Sequence, residues 1–175
     1  MKTAAEQLAR YKSVHLNPTN IKTHFVGIPL IIWSAFVWLG LIRFELGTLG
    51  EASAAMVFTL IVLAYYLKLH VRLAVGMLVF ILPVLYTSDI MASVPHATWI
   101  AAVVFIIGWV FQLIGHKYEK AKPAFVDDMN QLLIGPFFLM AEVYFALGLE
   151  KALEREITPQ AIALRRALEA SRKTA

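Results

Sequence analysis

Five apolar runs separated by short polar stretches set the pattern of this chain. They span Phe25 to Ile42, Ala52 to Leu67, Leu73 to about Tyr86, Ala97 to Gly115 and Leu132 to Leu149. Each is near the length of roughly 20 residues that a helix needs to cross a bilayer core. The pattern predicts an all-α fold, a polytopic membrane helix bundle. Runs two and three are separated only by Lys68-Leu69-His70-Val71-Arg72 and predict a tight helical hairpin. The fifth run carries Gly135-Pro136 and Glu142, which predict an interruption. Further on, Thr158-Pro159 reads as an N-cap followed by a first-turn proline. Ala161, Leu164 and Leu168 then recur at helical spacing, with Arg165, Arg166, Arg172 and Lys173 among them. That is a basic amphipathic helix lying on a membrane surface, on a partner or in solvent.

Composition strengthens the membrane reading. Hydrophobic residues make up 59% and charged residues 16%, against about 25% charged in an ordinary soluble domain. The mean hydropathy is +0.68. The net charge of +4 gathers near the ends of apolar runs, which suits anionic lipid headgroups and not nucleic acid. With no cysteine, disulfides, thiolate zinc sites, iron–sulfur clusters and thiol catalysis are excluded. Residues 1–18 carry four charges and no apolar core, so they do not read as a signal peptide. One integral membrane domain is expected, with a cytoplasmic N-terminal segment (1–24), a membrane bundle (25–149) and a basic tail (150–175).

Charge also orients the bundle. If four runs cross from a cytoplasmic N-terminus, Lys2, Arg10, Lys12, Lys22, Lys68, Arg72, Lys117, Lys120 and Lys122 fall inside, and only Arg43 outside. A fifth crossing would place the six basic residues of the tail outside. The expectation is therefore four spanning helices plus a re-entrant or interfacial fifth segment.

In this topology His15, His24, His70 and His116 share the cytoplasmic face, and His96 lies on the other. Asn17-Pro18 turns the chain between His15 and His24, so that the two can converge. His116 and Glu119, three apart, share one helix face. Three imidazoles and a carboxylate suit Fe(II) or Zn(II) with open coordination positions. Each residue also has a plainer role. An interfacial histidine commonly binds a headgroup or a carbonyl. Glu119 can pair with Lys120 or Lys122, and Asn17 and Asn20 can cap a turn. Glu142 is an intramembrane carboxylate with a function or a hydrogen-bonded neighbour. His70 reads as solvated, and His96 as the start of the next helix. Trp33, Trp99, Trp109, Tyr65, Tyr66 and Tyr118 read as interfacial anchors. The residues alone leave open a metal enzyme, a non-catalytic lipid-binding or carrier protein, and a zinc-dependent lipid hydrolase.

Two ordered blocks narrow the choice. The first is Tyr11-x3-His15-x-Asn17-Pro18-x-Asn20-x3-His24-x4-Pro29. The second is Gly108-Trp109-x2-Gln112-x2-Gly115-His116-x2-Glu119-x3-Pro123, followed by Gln131-x4-Pro136-x5-Glu142. Together they resemble the Mpo-like membrane family over about Tyr11 to Gly148. The resemblance implies an Fe(II)-dependent dioxygenase that cleaves 2-hydroxy fatty acids with O2 to acids one carbon shorter. It implies His15, His24 and His116 as the metal ligands, and Asn17, Asn20, Gln112, Glu119 and Glu142 as groups that orient ligands or substrate. An iron held by three imidazoles keeps positions for the hydroxy acid and for O2, while membrane lipid dissolves the acyl tail. Eukaryotic members have three residues between the second-block histidine and its glutamate. Here there are two, which resembles a bacterial branch and implies an inner-membrane enzyme, its site at the cytoplasmic face by the charge topology above.

Overall fold

The computed structural model describes residues 2–126 and 128–174, with the side chains of Leu49, Arg172, Lys173 and Thr174 also outside the described set. The described residues form seven α-helices: α1 (Ala4–Ser13), α2 (Pro18–Gly40), α3 (Ala54–Leu69), α4 (Val71–Ala92), α5 (Ala97–Glu119), α6 (Gln131–Ala146) and α7 (Lys151–Thr174). An antiparallel hairpin of β1 (Arg43–Glu45) and β2 (Glu51–Ser53) joins α2 to α3. Three-residue strands carry too little alternation to be seen in a sequence dominated by helical runs. The class is all-α.

α2, α4 and α5 are long and apolar enough to cross a membrane, whereas α3 and α6 have 16 residues each. Many large side chains on these helices face outward, among them Leu60, Ile61, Val79, Val103 and Ile106. An apolar exterior of this extent is that of a membrane protein.

Local chemistry explains most boundaries. Thr3 and Glu6 form a reciprocal capping box that starts α1. Asn17 accepts from the Thr19 N–H at 2.8 Å and Pro18 takes the first helical position, so α2 begins seven residues before its apolar run. Ser53 caps α3. The predicted hairpin of runs two and three is present, and His70 alone forms the connection. Its extended backbone ends α3, and its Nδ1 accepts from the Leu73 N–H at the start of α4. His70 is thus half-buried in a cap and not solvated as expected. His96 starts α5 as expected: its carbonyl accepts from Trp99 and Ile100.

Two expectations about the C-terminal third are corrected. α6 runs unbroken through Gly135-Pro136, its Ile134, Phe137, Phe138 and Ala141 fully buried. α7 does not begin at Thr158-Pro159: it starts at Lys151, after Gly148 and Glu150 turn through positive φ, and Pro159 lies inside it. An interior proline costs about 3 kcal/mol. Burial of Leu153, Ile157 and Ala161 on one stripe of α7 offsets that cost. α7 packs on α1, so the tail is not a free surface helix. Among the expected anchors, Trp99 and Tyr118 are exposed, but Tyr66 is buried.

The chain resolves into two compact units, Phe25–Leu113 and the combination of Met1–His24 with Ile114–Ala175. The first is built on Phe36, Ala55 and Ile81, and on Val37, Ala97 and Ala101 under Trp33 and Trp38. There α2 and α5 touch backbone to backbone: a Cβ on Gly108 would lie 3.0 Å from the Gly27 carbonyl. The second unit holds His15, His24 and His116.

Candidate metal centre

His15, His24 and His116 come together inside the second unit, although 101 positions separate the first from the last. Their ring centroids lie 4.6 Å (His15–His24), 5.0 Å (His15–His116) and 5.0 Å (His24–His116) apart, each pair edge-on. One nitrogen from each ring falls within 4.8 Å of the others.

The local fold aims each ring. α1 ends at Ser13, and the His15 N–H closes a last turn on the Lys12 carbonyl. His15 then stacks flat on Tyr11, with centroids 4.0 Å apart and planes 1° apart, and Phe138 of α6 packs nearby at 5.9 Å. His24 lies on the second turn of α2, and His116 on the last turn of α5.

The hydrogen bonds fix the tautomers. His15 Nδ1 donates to the Tyr11 carbonyl at 2.7 Å, and His24 Nδ1 donates to the Asn20 carbonyl at 2.9 Å. A carbonyl only accepts, so each proton sits on Nδ1 and each Nε2 carries a lone pair. Those two Nε2 atoms face each other at 3.1 Å. Burial pushes the His15 imidazole well below its usual 6.5, with His24 and His116 adding to the effect, so it stays neutral. Two facing lone pairs in a dry site repel unless a cation lies against both. A separation of 3.1 Å is that of neighbouring ligands on one first-row ion with metal–nitrogen bonds of about 2.1 Å. The backbone carbonyl of Ala121 lies near the His116 ring without reaching hydrogen-bond geometry, and His116 Nδ1 is buried with no hydrogen-bond partner among the described residues. The donor set fits a metal held by three neutral imidazoles, with carbonyls behind two of them raising their basicity.

Glu119 is next to the triad but its oxygens are taken. Oε2 accepts from the Asn17 N–H at 2.8 Å and from Asn20 Nδ2 at 3.2 Å. Oε1 accepts from Arg165 Nη1 at 3.2 Å. The expected pairing with Lys120 or Lys122 is replaced by this one, because α7 brings Arg165 to a side chain that is 2% exposed. Asn17 caps α2 and also reaches the Tyr118 carbonyl. Asn20 ties Glu119 to the Val14 carbonyl while its own carbonyl holds His24. Glu142 pairs with Lys12, whose ammonium lies 5.6 Å from the centre of the Phe138 ring. Gln112 belongs to the other unit, where its carboxamide closes over Gly27. His70 and His96 belong to that unit too. Sequence reasoning missed Arg165, Lys12 and the Tyr11 stack. The spacing Tyr11 to His15, one helical turn, was the signal for the last of these.

A family model described as 2-hydroxy-palmitic acid dioxygenase Mpo1-like matches residues 1–147. The 2-hydroxy-palmitic acid dioxygenase MPO1 of Saccharomyces cerevisiae is 30% identical over 158 residues, which cover 86% of this chain and 87% of that protein. No solved structure matches the chain.

Proposed function

The chain belongs to the Mpo1-like family, and on that footing we propose that it is a membrane-embedded dioxygenase that shortens 2-hydroxy fatty acids by one carbon. It uses O2 and an Fe(II) held by His15, His24 and His116. The observation that carries this reading is the pair of unprotonated Nε2 atoms at 3.1 Å inside a buried three-histidine cluster. The balance closes without an outside reductant. R–CH(OH)–COOH with one O2 gives R–COOH, CO2 and H2O, and the four electrons O2 takes up are the four the hydroxy acid gives up. The metal, when bound, supplies a Lewis acid for the hydroxy carboxylate and a redox partner for O2. The chain's own residues do the rest. Tyr11 and Asn20 carbonyls hold two imidazoles in their ligating tautomer. Burial of His15 keeps that ring neutral, and Phe138 helps keep water from it. Asn17, Asn20 and Glu119 support the ligands from behind, with no contact to metal. Glu142, paired with Lys12, is left as a group for orienting the substrate.

Oxygen uptake by anaerobically Fe(II)-loaded protein tests this against a panel of acids. A long-chain 2-hydroxy acid should be consumed and a product one carbon shorter should appear by mass. A 3-hydroxy or unsubstituted acid should not react, because neither places a hydroxyl on the carbon beside the carboxylate. Each buried methylene contributes roughly 0.8 kcal/mol, so short 2-hydroxy acids should fail first on KM. Equal turnover of 2-hydroxy and unsubstituted acids would sink the reading. Stoichiometric zinc in place of iron would favour a hydrolase, and no metal a lipid-binding protein.

The topology proposed with it is one integral membrane domain with four crossings (α2, α3, α4, α5), α6 packed without crossing and both termini cytoplasmic. α3 and α6 have 16 residues each, so length does not separate them; the buried Phe137 and Phe138 of α6, against the outward Leu60 and Ile61 of α3, support a packed position for α6. The unit boundaries fall inside α2 and α5, which supports one domain. The two-residue spacing from His116 to Glu119 supports a bacterial inner-membrane enzyme, and the basic-residue asymmetry supports a site at the cytoplasmic face. In intact cells, cysteines at Ala5 and Ala170 should escape an impermeant thiol reagent while one at Ser93 reacts. Labelling at 170 but not at 5 would mean that α6 crosses.

A further inference from the structure

The family match ends at residue 147, yet α7 beyond it reaches the triad's support. Arg165 is 16% exposed, and all three guanidinium nitrogens are engaged. Nη1 donates to Glu119 Oε1 at 3.2 Å, Nη2 to the Glu119 carbonyl at 2.8 Å, and Nε to Glu169 Oε1 at 2.6 Å. Glu119 is the last residue of α5, so its carbonyl is one that the helix itself leaves unpaired. A cation there also meets the negative end of the helix dipole. The other carboxylate oxygen holds the Asn17 N–H and the Asn20 amide at the start of α2. His116 lies one turn before Glu119, and His24 one turn after Asn20.

We propose that Arg165 is a positioning residue of the metal centre, a clasp through which the C-terminal helix fixes His116 relative to His24 by way of Glu119. The proposal rests on the three-histidine metal reading. The chain of contacts is continuous: α7 fixes Glu119 by side chain and backbone, Glu119 fixes the first turn of α2, and that turn presents the carbonyl that orients His24. A planar fork suits this task, because it grips a carboxylate oxygen and a carbonyl at once. A lysine offers one point charge and cannot hold both in fixed geometry. Without the clasp, the buried Glu119 carboxylate keeps only its α2 donors and draws away from α5.

The test compares full-length wild type with Arg165→Gln, Arg165→Lys, Glu119→Gln and the Arg165→Gln/Glu119→Gln double variant. Each is read by Fe(II) affinity under anaerobic conditions, by the absorption bands of bound Co(II), and by the melting temperature of the metal-free protein. Loss of such a supporting contact should weaken metal binding by about 10- to 100-fold and shift the Co(II) bands. Arg165→Lys should not restore the wild-type affinity or spectrum. The double variant should lose less than the product of the two single losses, since both break one link. If Arg165→Gln fails to fold, Arg165→Lys carries the comparison. A lowered melting temperature with wild-type affinity and Co(II) spectrum would overturn the proposal, for the contact would then be structural only. A wild type that takes up no metal would instead sink the metal reading, and the clasp with it.

Discussion

Alanine at His15, His24 or His116 is expected to reduce bound iron to background and to abolish turnover. Each ring supplies one of three neutral nitrogens, and all three are buried or near-buried in one cluster. Two remaining imidazoles cannot hold a labile first-row ion against water and buffer. The loss should exceed the 10- to 100-fold that supporting contacts typically give. His15→Ala has a second effect, since it also removes the stack on Tyr11. His15→Gln keeps more of that volume and separates the two causes. His70→Ala and His96→Ala should keep metal and activity, although His70→Ala should lower stability by about 1 kcal/mol through the lost cap. Metal content by elemental analysis after gel filtration, together with oxygen uptake, decides the matter. Full iron in any one of the three alanine variants would remove that residue from the ligand set.

Gly115→Ala is expected to be nearly as damaging without touching a ligand. A Cβ at that position would lie 2.2 Å from Thr23 Oγ1, 2.4 Å from Asn20 Oδ1 and 3.1 Å from His24 Nδ1. None of these can give way cheaply. Thr23 Oγ1 donates to the Asn20 carbonyl at 2.8 Å, and that same carbonyl holds His24. Asn20 is fully buried and tied to Glu119. The methyl group must therefore push the start of α2 away from the end of α5, which separates His24 from His116. Overpacking of this kind costs about 1–3 kcal/mol, and the metal site should loosen with it. Melting temperature and Fe(II) affinity should fall together. Wild-type values for both would show that the two helix ends have room that this geometry denies them.

The apolar runs by themselves determined the helical class, the membrane character and the α3–α4 hairpin, because burial in lipid writes a long, nearly uncharged signature into each segment. Cap chemistry was equally local: Asn17-Pro18 starts α2 and His96 starts α5 within a few residues of the breakpoints read from sequence. The histidine blocks were legible too, since fixed spacings at turns and helix ends are sequence features. The partners of the acidic residues were not. Glu119 has lysines at hand on its own chain segment, yet it binds Arg165, 46 positions away, because buried packing and not sequence proximity selects the ion that can reach a dry carboxylate. Pro136 and Thr158-Pro159 misled for the same reason. Local propensity penalises a proline inside a helix by about 3 kcal/mol, and only the tertiary structure shows Phe137, Phe138, Ile157 and Ala161 buried deeply enough to offset it. The sequence could say that three histidines were free to meet. That two of them meet as unprotonated nitrogens, each backed by a carbonyl, was decided by how α1, α2 and α5 end against one another.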